Sequence, residues 1–196
     1  MRGQIWVTRK KDERFCPDCT IKTKASGRTS VMVWGGIWYG GATDLVWFRP
    51  TTKLNSRNVE STSITASDYI DQVLEPHLEP AYRGLKELEL EPIVMEDNAS
   101  IHTAKEARDW KESAGMIVMK WPPSSPDLNP EENMWGAMKS RIRHQPDIID
   151  TRTSMWSTAS AEWERLRATT HFDKWIESMD ARMEEVIKMD GYATRF

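Results

Sequence analysis

The chain has 196 residues, of which 39% are hydrophobic and 29% charged, a composition typical of a folded domain rather than a disordered segment. Its 10 Trp residues would supply much of a core, and its formal net charge is −3. No apolar run approaches the ~20 residues of a membrane span, and the first residues lack a secretory signal, so we expect no membrane partner. Residues 1–28 carry eight Lys and Arg against three Asp and Glu, so a basic segment precedes an acidic body. This asymmetry permits a polyanionic partner without establishing one.

Short strands are predicted in the amino-terminal part of the chain. Residues 4–9 have the composition of a strand. Residues 30–39 are rich in β-branched and aromatic side chains, and a glycine pair separates them from a second such run at 45–48. Two runs joined in this way predict a hairpin. Residues 51–66 are predicted to form a polar loop.

From Ser67 onward the spacing of apolar residues becomes helical. Pro76 and Pro80 are expected to kink or split this helix, because proline lacks the backbone N–H and clashes with the preceding turn. A short buried strand is predicted at residues 92–96, and another short strand at 116–121.

Helices are predicted to follow both of these strands. The Thr103-x-x-Glu106 pattern predicts a capping box that opens a helix closing at Gly115. A helix is predicted from Pro130 to about Arg143, and the chain after residue 146 is again helical in pattern. Its expected packing residues are Trp156, Trp163, Leu166, Phe172, Trp175, Ile176, Met179, Met183, Val186 and Ile187. Alternating strands and helices predict a layered α/β domain.

Two carboxylates occupy positions suited to a metal site. Asp97 follows a predicted strand, where open α/β sheets bind their ligands, and Glu132 lies in the first turn of a later helix. Acids on two rigid elements could hold the divalent ions that promote phosphodiester cleavage, and Mg²⁺ is the natural candidate. Structural roles are equally available from these residues alone. Asp97 could cap a turn, and Asn129, Pro130 and Glu132 have the order of a capping box.

Four segments of the sequence resemble the catalytic domain of mariner-superfamily transposases. They are SVMVWGGI (Ser30–Ile37), MEDNASIHTA (Met95–Ala104), WPPSSPDLNPEENMW (Trp121–Trp135) and SMDARMEEVIKMDGYATRF (Ser178–Phe196). The resemblance covers roughly Ser30 to Phe196. It implies a ribonuclease H-like mixed sheet flanked by helices, with three acidic residues at its site.

The resemblance assigns Asp97 to the second acid and Glu132 to the third, with 34 residues between them. Asn98, His102 and Asn133 match neighbouring polar positions and are expected to support the site. Glu131 is a departure, because relatives carry an apolar residue there. This leaves two adjacent candidates for the third acid, of which motif alignment favours Glu132.

The first acid of the family has no convincing counterpart in this sequence. It precedes the WGGI strand in relatives, on a central strand, and Asp12, Asp18 and Asp44 lie in unsuitable contexts. We therefore expect the sheet to lack its first strand, with exposed edges and marginal stability. The chain alone is expected to be catalytically silent.

The resulting prediction is a partial transposase domain of the DDE type. The family chemistry is metal-dependent DNA cleavage and strand transfer at transposon ends, with Mg²⁺ or Mn²⁺ as cofactor, DNA as partner, a homodimer as assembly and the nucleus as location. The alternative is a non-catalytic, transposase-derived module that binds DNA or protein, or an inactive relic. Residues 1–29 are predicted to be a basic remnant, 30–145 the domain core and 146–196 a helical extension of that domain.

Overall fold

The computed structural model describes residues 30–51, 53–54, 60–61, 63–123, 125–145, 149–169, 172–191 and 194. The predicted strand at 4–9 and the basic amino-terminal segment lie outside the described residues. The strands are β1 (Val33–Trp34), β2 (Ile37–Trp38), β3 (Gly41–Ala42), β4 (Val46–Trp47), β5 (Lys53–Leu54), β6 (Glu60–Ser61), β7 (Ile93–Val94) and β8 (Ile117–Val118). The helices are α1 (Ala66–Tyr69), α2 (Glu79–Glu87), α3 (Ser100–Thr103), α4 (Lys105–Ser113), α5 (Pro130–Arg143), α6 (Arg152–Arg167), α7 (Asp173–Glu177) and α8 (Met179–Lys188).

The predicted hairpin is confirmed, and it is built as two successive antiparallel ladders. β1 pairs with β4, and β2 pairs with β3 nearer the tip. Gly40 adopts a φ of 82° at the tip, a conformation that glycine reaches without a side-chain clash. Between the ladders, the Thr43 N–H donates to the carbonyl of Gly36 over 2.8 Å, and the Gly36 N–H donates to Oγ1 of Thr43. These bonds keep the hairpin continuous where regular pairing stops.

The segment predicted to be a polar loop contains additional structure. β5 pairs antiparallel with β6, and α1 begins at Ala66. The prediction of an irregular loop over 51–66 is therefore wrong at those positions. Composition alone predicted a loop, but a polar segment can also pair its backbone in a short two-stranded ladder.

The helix predicted from Ser67 continues through both prolines. After α1, residues Ile70–Leu78 form a π-helix that contains Pro76, and α2 follows directly with Pro80 in its first turn. The expected split does not occur. A change of helix type takes its place, because the wider π turn accommodates Pro76 and a first helical turn tolerates proline.

β7 and β8 lie side by side and run parallel, with Ile93 opposite Ile117. Val94 is buried, whereas Ile93 is 54% exposed, so the prediction of a buried strand at 92–96 holds for one face only. The predicted capping box at Thr103 is wrong. α4 begins at Lys105 after Ala104, because the Thr103 hydroxyl instead donates to the carbonyl of Ala99. The helix closes at Gly115, as expected, with a φ of 68°.

The hairpin lies between two cores. On one side Ala42 and Leu45 pack with α5 and α6, including the fully buried Trp163, whose indole N–H donates to the carbonyl of Thr43 over 2.9 Å. On the other side Val46 and Phe48 pack with α1, the π-helix and α4. α6 therefore shares its core with the hairpin.

The helical pattern predicted after residue 146 is confirmed, although Met183 and Ile187, both expected to be packed, are exposed.

Among the described strands, no single mixed sheet forms. β1–β4, β2–β3, β5–β6 and β7–β8 are separate two-stranded sheets. The sequence predicted a mixed sheet that lacks its first strand, and no described strand bridges β1 and β7. Within the described ranges, no helix is long and apolar enough to cross a membrane.

Candidate active site

A groove of about 860 Å³ opens between the hairpin and the β7–β8 pair. Its walls are mainly apolar, with Trp34 and Trp38 from the hairpin on one side and Val94 on the other. Asp97 and Glu132 both line it. The fold therefore brings the two acids selected from the sequence to the same groove.

Asp97 lies beyond the end of β7, with its side chain 60% exposed. Its Oδ1 accepts hydrogen bonds from the backbone N–H of Ala99, over 3.0 Å, and engages Nδ1 of His102 at 2.7 Å. The Ala99 bond is the turn-capping contact considered from the sequence. It occupies Oδ1 alone, and no described residue forms a hydrogen bond with Oδ2. Asp97 can thus cap the turn and still present an oxygen to the groove.

A buried polar network lies directly behind Asp97. Lys111 of α4 and Tyr69 of α1 both donate to the carboxylate of Glu96, the residue before Asp97. Lys111 also donates to the backbone carbonyl of His102 over 3.3 Å, and the ring of Tyr69 lies 4.7 Å from that of His102. Burial and the Glu96 charge raise the pKa of Tyr69 well above its usual value, so the phenol stays protonated and donates. Sequence reasoning missed this network, although a glutamate in an apolar strand signals the need for a buried partner.

Glu132 lies in the first turn of α5 with its side chain exposed. Asn129 caps this helix by accepting a hydrogen bond from the Glu131 N–H over 3.0 Å, and Pro130 takes the first helical position. The reciprocal half of the proposed capping box does not form, because the Asn129 N–H donates to the carbonyl of Pro126. The carboxylate of Glu132 is consequently not used to cap its own helix.

Glu131, the second candidate for the third acid, has a different environment. Its Oε1 is buried, and no described residue forms a hydrogen bond with it. Burial, together with the charge of Glu132, raises the pKa of Glu131 to about 8. A carboxyl that is protonated at neutral pH is a poor ligand for a divalent cation, since the charged form binds the ion. The electrostatics favour Glu132 over Glu131 as the metal-binding acid.

The other polar residues selected from the sequence make structural contacts. The Asn98 side chain donates to the carbonyl of Trp121 over 3.1 Å and so joins the ends of β7 and β8. The side-chain oxygen of Asn133 accepts from buried Arg182 of α8. Arg182 also donates to the carbonyl of Asp127 and, over 2.8 Å, to Oγ of Ser178. These bonds fix the segment that leads into Glu132, a role for Arg182 that the sequence did not reveal.

The donor set has the chemistry of a site for a hard divalent cation. Mg²⁺ prefers oxygen ligands, and proteins often hold it with one or two carboxylates that leave places for substrate phosphates. Asp97 and Glu132 supply such carboxylates with exposed side chains. Within the described part of the chain, no group of three or more His, Cys, Asp and Glu side chains is arranged to hold a metal ion. Two carboxylates of this kind fit an Mg²⁺ site that leaves its remaining coordination positions to water or substrate phosphate.

Comparison with known families identifies the domain. Residues 9–154 match the family described as DDE superfamily endonuclease. The chain belongs to this family. Across 195 residues it is 27% identical to the Tc1 transposase of Caenorhabditis elegans, covering 99% of this chain and 64% of that protein. Across 166 residues it is 30% identical to the Tc3 transposase of the same organism, covering 84% of this chain and 49% of that protein. The chain thus spans from about half to just under two thirds of the length of these relatives.

Solved structures support the same fold. The catalytic domain of the Mos1 mariner transposase matches with a TM-score of 0.60 and 20% identity, covering 85% of this chain and 82% of that one. A Mos1 paired end complex with Mn matches with a TM-score of 0.64 and 21% identity, covering 86% and 46% of the two chains. The ribonuclease H-like fold and the likeness to mariner-superfamily transposases, both expected from the sequence, are confirmed for this DDE domain.

Proposed function

We propose that this DDE domain is the DNA-cleaving and strand-joining part of a transposase, in which Asp97 and Glu132 bind Mg²⁺ or Mn²⁺. The observation that carries the proposal is the convergence of these two acids on one groove, each at the end of a regular element. The resemblance to DDE transposases implies a third carboxylate at this site. Bound metal ions activate the attacking water or hydroxyl and stabilise the leaving oxygen in phosphodiester cleavage.

The residues around the two acids have separate tasks in this proposal. His102 holds Oδ1 of Asp97, so that the carboxylate keeps one orientation toward the groove. Asn98 fixes the loop beyond β8, and Asn133 anchors the start of α5 through Arg182. All three are positioning residues, and the two acids are the groups that contact the metal.

DNA is the proposed substrate and partner, with transposon ends and target DNA as the two duplexes. The Tc1 and Tc3 relatives are transposases of transposable elements, and one Mos1 match is a paired end complex, which supports DNA ends as ligands and a homodimer as the assembly. Action on such DNA implies a nuclear location. Mg²⁺ or Mn²⁺ as cofactor is supported by Mos1 catalytic-domain structures that contain Mn or Mg.

Plasmid nicking tests the proposed function. The 196-residue chain and the longest protein that its transcript encodes, defined by full-length RNA sequencing, are each incubated with supercoiled DNA and Mg²⁺ or Mn²⁺. We expect metal-dependent nicking by a longer protein that carries the third acid and little by the chain alone. Asp97→Asn and Glu132→Gln should abolish it, whereas Glu131→Gln should retain it as the matched control.

Two results would contradict the catalytic proposal. One is nicking that survives Asp97→Asn or Glu132→Gln, since the two acids would then not carry the reaction. The other is the absence of nicking at every chain length together with salt-dependent duplex binding that both substitutions leave intact. That second pattern is typical of phosphate contacts and would establish a DNA-binding module without catalysis.

A further inference from the structure

We propose that the buried ion pair of Lys111 and Glu96, joined by the Tyr69 hydroxyl, is a positioning device that sets the orientation of Asp97. The inference deepens the proposed function, because it concerns the geometry of the same metal-binding acid. Both carboxylate oxygens of Glu96 already accept hydrogen bonds, one from Lys111 and the other from Tyr69, so the network acts on Asp97 indirectly. It acts through the backbone of Asp97 on one side and through its His102 partner on the other.

The contacts form a closed ring around Asp97. Glu96 precedes Asp97 in the chain, so a fixed Glu96 carboxylate fixes the backbone from which Asp97 projects. Lys111 binds that carboxylate and also the backbone carbonyl of His102. His102 in turn engages Oδ1 of Asp97 at 2.7 Å. One ammonium group therefore ties together the strand end that carries Asp97 and the short helix that carries its hydrogen-bond partner.

Tyr69 adds a second connection between Glu96 and His102. Its hydroxyl donates to the second oxygen of Glu96, and its ring packs against the imidazole of His102 at 4.7 Å. Tyr69 is completely buried. Lys111 thus holds the backbone of His102, while the Tyr69 ring and Asp97 both contact its imidazole and restrict its rotation.

Stability alone does not account for the burial of this ion pair. The side chains of Lys111 and Glu96 are 2% and 11% exposed. Replacing a buried pair of this kind with apolar side chains of similar size is often neutral or stabilising, because desolvation offsets the attraction. An apolar pair, however, cannot fix the orientation of the side chain at position 96. Charged hydrogen bonds to both carboxylate oxygens of Glu96 fix its angle, and with it the direction of the next residue.

The test removes the polar network while keeping its volume. In the variant Tyr69→Phe/Glu96→Met/Lys111→Met, the ring against His102 remains and no buried polar atom of the three side chains is left unpaired. The matched control is Lys105→Met/Asp109→Met, which removes an exposed ion pair from the same helix, α4. Folding is checked by near-ultraviolet circular dichroism and thermal unfolding.

Two measurements report on the position of Asp97. The first is the ¹⁵N spectrum of the His102 imidazole at one fixed pH, assigned with His102→Gln, which shows whether Nδ1 carries the hydrogen bonded to Asp97. The second is the Kd for Mn²⁺ from the electron paramagnetic resonance of the free ion. We expect the triple variant to lose the wild-type His102 spectrum and to bind Mn²⁺ about tenfold or more weakly, as is usual when a group that orients a metal ligand is removed. The control should match the wild type in both.

A folded triple variant with the wild-type His102 spectrum would overturn the inference and leave the ion pair a purely structural role. If the triple variant does not fold, Tyr69→Phe alone decides. It should move the His102 spectrum in the same direction by a smaller amount, and an unchanged spectrum would be contrary evidence. Failure of the proposed function is recognised separately. In that case Asp97→Asn leaves Mn²⁺ binding unchanged, while the His102 spectrum of the metal-free protein still reports on positioning.

Discussion

Arg182 of α8 donates a hydrogen bond to the side-chain oxygen of Asn133, the residue that follows Glu132 in α5. The two residues lie 49 positions apart in the chain, so the carboxyl-terminal helix directly supports the start of the helix that carries a proposed metal-binding acid. The same guanidinium also binds the carbonyl of Asp127 in the preceding turn. The helical extension is thus part of the architecture of the site.

Arg182→Lys should destabilise the domain. Its Nε, Nη1 and Nη2 each donate to a different partner, and the single ammonium of lysine cannot reproduce that fork. We expect the free energy of unfolding in urea to fall by about 2–4 kcal/mol, since hydrogen bonds to a charged group contribute roughly 1.5–3 kcal/mol each. Arg108→Lys, at an exposed position of α4, is the control and should change it little. If both substitutions lower the free energy of unfolding equally, the three hydrogen bonds of Arg182 do not stabilise the domain as proposed.

The positions of the two candidate acids could be predicted from the sequence, whereas the contacts that support them could not. Asp97 and Glu132 stand in motifs whose local context, a strand end and a helix start, is encoded within a few residues. The network of Tyr69, Glu96 and Lys111 depends on contacts of α1 and α4 with the segment that follows β7, and no local pattern specifies which helix supplies the lysine. Long-range burial, unlike a motif, becomes visible only when the chain is folded.

The fold shows the same division between local and long-range information. The hairpin was predictable, because its glycine turn and apolar runs are adjacent in the chain. The unbroken passage through Pro76 was not, because propensity alone predicts a break and the π-helix that accommodates this proline is stabilised by packing of Val73 and Leu74 in the core. Ile187 shows the converse, since helical spacing placed it in the core but its side chain is 79% exposed.

Gly35→Ala should destabilise the hairpin by overpacking. A Cβ at Gly35 would clash with the buried indole of Trp163, which is held by its hydrogen bond to Thr43 and by stacking on Trp135. We expect a loss of about 1–3 kcal/mol in the free energy of unfolding, the usual effect of extra methyl groups in a packed core. Tryptophan fluorescence during urea unfolding measures it.

Gly136→Ala is the matched control for this substitution. Gly136 lies within α5, and a Cβ there would meet no heavy atom within 4 Å. Alanine should therefore raise the free energy of unfolding by about 0.5–1 kcal/mol, because glycine loses more conformational freedom in a helix. If both substitutions shift stability in the same direction, the close approach of Gly35 to Trp163 is not the cause.

The buried carboxyl of Glu131 should make stability depend on pH. Because the pKa of Glu131 is raised to about 8 in the folded state, folding favours its protonated form. The protonated carboxyl therefore contributes fully to the free energy of unfolding below the pKa of the unfolded state, near 4.3. That contribution is lost as pH rises toward 8. In buffer with a metal chelator, Tm should fall across this range.

Glu131→Leu should remove the fall in Tm that Glu131 causes and should raise Tm most at alkaline pH. Glu112→Leu, at an exposed site, serves as control, and an unchanged slope in Glu131→Leu would refute the assignment.

Asp68 should have the opposite pH dependence. Burial alone would raise the pKa of its carboxyl, but hydrogen bonds from Thr51 and Thr65 outweigh burial and hold this pKa below its usual value. Its contribution to stability is therefore present above the unfolded pKa, near 3.9, and is lost as pH falls through the lower folded value.

Asp68→Asn should lower the free energy of unfolding by about 1–2 kcal/mol near neutral pH, because it removes the charged acceptor of the capping box that starts α1. The deficit should shrink in strong acid, where the wild-type carboxyl is itself protonated. Asp71→Asn, one turn later and exposed, provides the comparison and should have little effect at either pH. A deficit for Asp68→Asn that stays constant from neutral to acid pH would mean that the amide disturbs packing and that charge-assisted hydrogen bonding is not what stabilises this cap.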